Sequence, residues 1–193
     1  MGGVKEDIKT QLLDAAQRLV QTRGHNGFSY RDLSEVVGIR TASIHYHFPT
    51  KTDLAVALVQ RYREALGGAL ADVAVQKSTL ADRLDATCQL FLDTLKNESR
   101  ICVSAALAGE YLSLPLEVQA ELQKLIADTV GWIQRFLAEG RSRGELAKDS
   151  DPAALARLWY TSLQGGLLVA RAGDAAILTD TTKALRQLTL GSK

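Results

Sequence analysis

Apolar residues recur along this chain at intervals of three and four, and they rarely alternate one by one. Leu33, Val36 and Val37 form one short cluster, and Ile44 and Phe48 the next. From Lys51 onward the spacing stays helical through Leu54, Ala57, Leu58, Leu66 and Leu70, which predicts a long helix ending near Val75. Leu80, Leu84, Cys88, Phe91 and Leu95 predict another. A short helix is expected from about Cys102 to Tyr111, broken at Ser113-Leu114-Pro115. Then come Val118, Leu122, Leu125, Ile126, Val130, Ile133, Phe136 and Leu137, with an end at Gly140 and a Gly/Ser/charged loop to Asp151. Asp151-Pro152 reads as a cap and a first-turn proline, opening a helix through Leu155, Leu158, Trp159, Leu163, Leu167 and Ala170. A last helix carries Ile177, Leu178, Thr181, Leu185 and Leu188. Each of the three prolines falls at an expected helix start, and strand signals are scarce. The fold class is all-α.

The local chemistry is densest between Phe28 and Phe48. Ser29 can cap a helix through its hydroxyl, and Asp32 can reach back to it while complementing the helix dipole. Leu33, Val36 and Val37 then supply a buried face, and Gly38 stands where a helix turns left-handed. Ile39 plugs the elbow. A second helix runs from about Thr41 with Ile44 and Phe48 inward, leaving Thr41, Ser43, His45, Tyr46 and His47 outward. Pro49 ends it, and Thr50 with Asp53 caps the next. Two short helices hinged at a glycine, the second with a polar face, have the layout of a helix-turn-helix, whose second helix lies in the DNA major groove.

The run from Gly38 to Leu54, with Tyr46-His47-Phe48 followed by Lys51, resembles the DNA-binding domain of TetR-family transcriptional regulators. The resemblance covers about Ile8 to Leu58. It implies a three-helix DNA-reading head (residues 1–50) and a helical body (residues 51–193) that binds a small ligand and dimerises. It also implies that Arg40, Thr41, Ser43 and His47 contact bases or nearby phosphates, and that Lys51 grips a phosphate. Ser29, Tyr30, Arg31 and Tyr46 are expected on the same DNA-facing side. The family pattern has tyrosine where this chain has His45, which keeps a donor for a phosphate.

Charge agrees with such a division. The 193 residues carry a net charge of +1, while residues 1–63 hold nine basic against six acidic residues, or +3, leaving −2 for the rest. His25, His45 and His47 also lie in that first part. A basic head on a mildly acidic body fits DNA binding confined to one end, and so modest a charge calls for two heads on one duplex. No apolar run reaches the roughly 18 residues that span a bilayer, and no leader is seen, so a soluble, cytoplasmic protein is expected. Two cysteines without C-x-x-C spacing predict no metal. Without a Gly-rich phosphate loop or nucleophile elbow, neither a cofactor nor an enzyme is expected.

In the body, the last two helices have broad apolar faces, and Gly165-Gly166 permits a close backbone approach. In a TetR-like body this pair makes a homodimer interface; alternatively it completes the monomer's own core. A homodimer sets two heads about 34–36 Å apart on a palindromic operator. Phe91, Leu95, Trp132, Phe136 and Leu163 are candidate linings of a pocket for an inducer, with Glu110, Tyr111 and Gln164 as polar anchors, though any one of them reads sooner as plain core. Arg100-Ile101-Cys102 and the following helix resemble one branch of the family, repressors of electrophile-detoxifying reductases. That resemblance implies a sensing thiol at Cys102, assisted by Arg171. The other reading of Cys102 is a buried, small apolar residue. The combined expectation is a repressor released by a small molecule or by cysteine modification. The alternative is a helical small-molecule binding protein that does not read DNA.

Overall fold

The computed structural model describes residues 7–147, 150–174 and 176–190. Lys5 and Glu6 of the charge tally, and residues 148 and 149 of the Gly140–Asp151 loop, lie outside them. Among the described residues every regular element is helical: α1 Ile8–Arg23, α2 Tyr30–Val37, α3 Thr41–His47, α4 Lys51–Gln76, α5 Leu80–Lys96, α6 Val103–Ala108, α7 Leu116–Ser142, α8 Pro152–Ala172 and α9 Ala176–Leu190. A single 3-10 turn, Tyr111–Ser113, precedes α7.

The head consists of α1 to α3 closed over the start of α4. Leu12, Ala16 and Leu19 of α1 meet Leu33, Ile44, Phe48 and Leu54, all buried in one core. Ser29 and Asp32 form a reciprocal capping box on α2, and Thr50 and Asp53 form a second on α4. Gly38 ends α2 at φ +74°, ψ 30°, and its N–H bonds to the Ser34 carbonyl. Phe48, extended at φ −136°, closes α3 before Pro49. One expected core position is wrong: Val36 is 54% exposed. The short helix α2 packs chiefly on α1 and α3, so a narrow stripe through Leu33 and Val37 is covered.

Helix α4, about 39 Å long at 1.5 Å per residue, leaves the head and packs along α7. Helix α7 packs on α8, and α8 on α9, giving a body whose core holds Phe91, Leu122, Phe136, Trp159, Leu163 and Leu167. Three local expectations are corrected. The helix expected to reach Tyr111 stops at Ala108, because the chain turns at Gly109 and re-forms as the 3-10 turn. Gly140 does not end α7, which continues to Ser142; a side chain at 140 would run into Leu80, 2.5 Å from the added Cβ. The left-handed stop is Gly144, at φ +73°. The close approach foreseen at Gly165-Gly166 belongs to Gly166 alone, where a Cβ would lie 2.8 Å from Leu178 of α9, while Gly165 faces open space.

Candidate functional site

The capped helices α2 and α4 on either side, and the burial of Ile44 and Phe48, hold α3 so that its polar face is free. Arg40, Thr41, Ser43, His45 and Tyr46 are exposed, Tyr46 to 85%, and His47 is half-buried with its ring edge-on to Tyr46. Arg40 has no hydrogen-bond or acid partner for its guanidinium among the described residues. The His45 Nδ1 lies 3.0 Å from the Pro49 carbonyl, which requires an Nδ1–H donor and leaves Nε2 as the other polar atom. Arg31, also exposed, leans on Glu35 one turn along α2.

Three side chains expected to face DNA are turned to internal work. Ser29 is occupied as a cap. The Tyr30 hydroxyl donates between the Phe48 and Thr50 carbonyls at 2.8 and 2.6 Å, which ties the start of α2 to the α3–α4 turn. Burial, and then the nearby Asp53 carboxylate, push this phenol up to about 12. Lys51 points inward rather than out to a phosphate. Its ammonium donates to the carbonyls of His25 and Phe28, each at 2.5 Å, and sits 4.4 Å from the Phe28 ring centroid. Burial is the main cause that lowers its pKa. The α1–α2 loop bends back over α4 and offers two carbonyls that no helix satisfies, and Lys51 is the donor within reach.

The same loop is the joint between head and body. Arg171, at the end of α8, donates to the Gln21 and Thr22 carbonyls of α1. The Ile101 N–H, just before α6, also bonds to the Gln21 carbonyl. Glu110, just after α6, accepts from the Asn26 backbone N–H at 3.0 Å and its side-chain amide at 3.2 Å. Any side chain at Gly24 would collide with Glu110, 2.1 Å from the added Cβ. His25 is buried within this joint, its Nδ1 without a partner. Burial first, and then Lys51, lower its pKa below 6.5, with Glu110 opposing.

A group whose base form is favoured by folding loses stability on acidification, because only the unfolded chain takes up the proton. The melting temperature is therefore expected to fall as pH drops through 6.5, the unperturbed value, toward the lowered folded value. Calorimetry at about pH 7.5 and about pH 5.5 checks this, and His25→Gln should flatten the fall.

The expected pocket residues are not gathered in one place. Phe91, Phe136 and Leu163 are core, and Leu95 is packed at its edge. Tyr111 accepts from Gln123. Trp132 lines a cleft between α4 and α7, and Glu110 and Arg171 belong to the joint. Gln164 does line a cavity of about 370 Å³ between α6, α7 and α8, with Ser104, Ile126, Tyr160, Thr161 and Leu168. Both polar atoms of its amide are buried without a partner.

Behind this cavity is a buried cluster: Cys102 Sγ lies 3.0 Å from the Ser104 hydroxyl and 3.4 Å from that of Tyr62, and Tyr160 also bonds Ser104. Cys102 is 2% exposed, its partners are hydroxyls rather than a cation, and Arg171 is committed to α1. Burial, and next the nearby Cys102, push the Tyr62 phenol up. Cys88 is buried as well, and that burial drives its thiol up to about 12. Tyr62, Ser104, Tyr160 and Thr161 were not expected at a site. The one signal for them was the spacing of four between Tyr160 and Gln164, which puts both on one face of a helix.

A glycine-hinged helix pair whose second helix presents a free polar face defines a helix-turn-helix DNA-binding protein. Residues 12–58 match the model of bacterial regulatory proteins of the tetR family, and residues 81–185 match the tetracyclin repressor-like C-terminal domain. The chain belongs to the TetR family of transcriptional regulators. It is 32% identical to a TetR-family transcriptional regulator from Agrobacterium tumefaciens, whose crystal structure superposes with a TM-score of 0.91 over 95% of this chain and 97% of that one. It is 24% identical to the HTH-type transcriptional regulator CymR of Pseudomonas putida, over 72% of this chain and 70% of the relative. It is 25% identical to the nucleoid occlusion factor SlmA of Marinomonas sp. (strain MWYL1), and the match spans 57% of each chain. Members of the family are DNA-binding regulators rather than enzymes, typically dimeric, ligand-responsive repressors. Among the described residues no helix is long and apolar enough to cross a membrane.

Proposed function

We propose that the chain is a homodimeric repressor whose head, residues 1–50, reads a palindromic operator, and whose body, residues 51–193, pairs the subunits and binds an inducer. The observation that carries the reading is the free polar face of α3 on a rigid, capped scaffold. Thr41, Ser43, Tyr46 and His47 are the base-reading candidates, and Arg40, Arg31 and His45 serve the phosphates. Ser29, Tyr30 and Lys51 act by holding that face in position.

Pairing is supported by a stripe of unpartnered residues on α8 and α9. Leu158, Leu168, Val169, Ile177 and Leu188 are 39–67% exposed. Leu158, Thr161, Gly165, Val169 and Ala172 recur at the three- and four-residue spacing of one helix face. A twofold axis through this stripe matches the symmetry of a palindrome.

The inducer site is the cavity between α6, α7 and α8. Its unsatisfied Gln164 amide calls for a ligand with both a donor and an acceptor, and its aliphatic walls for an apolar body. Helix α6 is held to the head at both ends, through Ile101 and Glu110. A ligand that binds better with α6 displaced therefore shifts the head away from its DNA-bound position, and DNA in turn weakens the ligand. Cysteine modification is the second route to release, supported by the 3.0 Å contact between Cys102 and the Ser104 hydroxyl that lines the cavity.

Anisotropy titrations on duplexes of varied sequence and salt test the reading. Arg40→Ala is expected to weaken all duplexes alike and to reduce the salt slope by about 1. Ser43→Ala should cost about 1–3 kcal/mol on the preferred duplex and little on others. Identical behaviour of the two variants would contradict the assignment. Release by N-ethylmaleimide that survives Cys102→Ser would remove the thiol route.

A further inference from the structure

A second cleft, of about 310 Å³, lies between α4 and α7 on a side of the body separate from the α6–α8 cavity. Its walls are Arg63, Gly67 and Leu70 of α4 and Gly131, Trp132 and Arg135 of α7, with Asp128 at its edge. Both glycines stand inside long helices, where glycine is unfavourable. Neither is demanded by crowding. A Cβ at Gly67 would meet only the Trp132 Nε1, at 4.0 Å, and one at Gly131 only Arg135 Nη1, also at 4.0 Å. Helix stability is given up here for open space.

The chemistry around that space is unbalanced. Arg63 has Glu121 at 3.2 Å and Asp128 at 3.5 Å. Arg135 lies 3.9 Å over the Trp132 ring and has no acid partner among the described residues. The indole N–H faces the gap opened by Gly67 and has no acceptor there. A free guanidinium and a free N–H therefore converge on a cavity whose accessible apolar lining is Ala127 and the Trp132 ring. The Asp128 carboxylate, 61% exposed, is already drawn to Arg63. Two donors without an acceptor favour an anion, and planar guanidinium matches a carboxylate.

We propose that this cleft binds a small organic carboxylate. Its oxygens accept from the Arg135 guanidinium and the Trp132 N–H, and its apolar body lies against Ala127. The site is independent of the inducer cavity.

The chain has two tryptophans, and Trp159 is sealed in the core, so Trp132 reports occupancy directly. Tryptophan emission of the full chain is titrated with benzoate and with its neutral isostere benzamide, and calorimetry repeats both titrations. Benzoate should quench saturably, and benzamide should not. Arg135→Gln should weaken benzoate roughly tenfold, the loss of a charge-assisted hydrogen bond. Gly131→Leu fills the cleft on a helix it does not strain, and should abolish binding while the thermal midpoint holds or rises. Gln164→Ala should leave benzoate affinity unchanged. Three results overturn the proposal: equal binding of benzamide, loss of benzoate binding in Gln164→Ala with retention in Gly131→Leu, or no saturable benzoate response by either method.

Discussion

Trp159→Ala is expected to lower the unfolding free energy by about 3–5 kcal/mol, the range for truncating a fully buried large aromatic. Trp159 is 1% exposed at the centre of the α8–α9 packing, and its indole N–H donates to the Thr189 hydroxyl at 2.7 Å. That hydroxyl itself donates to the Leu185 carbonyl at 2.7 Å, so the truncation orphans no donor. The loss is packing and cavity, in the helix pair proposed to join the two subunits. A change of this size is a large part of a domain's net stability. Urea denaturation at matched protein concentration, with the slope unchanged, measures it. Trp132→Ala, at an open cleft, is the control and should cost far less. A loss under about 1 kcal/mol at Trp159 would mean that α8 and α9 do not pack tightly around this indole.

Val169→Glu should act on assembly and leave folding alone. Val169 is 50% exposed in the unpartnered stripe of α8. Around a twofold axis one substitution places a carboxylate on both sides of an apolar contact, where neither is solvated nor paired. Sedimentation should show a monomer with an unchanged helical spectrum. Two heads on one duplex bind with a gain of about 10²–10⁴ over one head, so operator affinity should fall by a factor in that range. A dimer that persists would move the interface elsewhere on the surface.

How far the sequence discloses the molecule follows from the range of the interactions involved. The caps at Ser29, Thr50 and Asp151, the left-handed Gly38 and the stop at Pro49 depend on groups within a few residues of one another. They could be placed from the chain alone, and with them the helix-turn-helix. Most of the wrong positions depend on distant partners. Periodicity says that Phe91, Phe136 and Leu163 point inward; it does not say whether they meet a ligand or each other. Gly140 looks like a helix stop until Leu80 is seen filling its place. Lys51 looks like a phosphate contact until the α1–α2 loop folds over it with two free carbonyls. Arg171, 150 residues from Gln21 in sequence, could not be assigned to the head by any local pattern. From sequence Cys102 fits either of two roles, because its surroundings, Tyr62 and Ser104, come from different helices.

In the proposed function α3 reads DNA as one of a symmetric pair. The most direct measurement incubates the purified chain with a randomised duplex pool at low salt and sequences the bound fraction, in parallel with Ser43→Ala. The expected result is an enriched palindrome for the wild-type chain, and a motif changed at matching positions of both half-sites for the variant. A non-palindromic motif would contradict the paired reading, and no enrichment at all would contradict the DNA-reading role of α3.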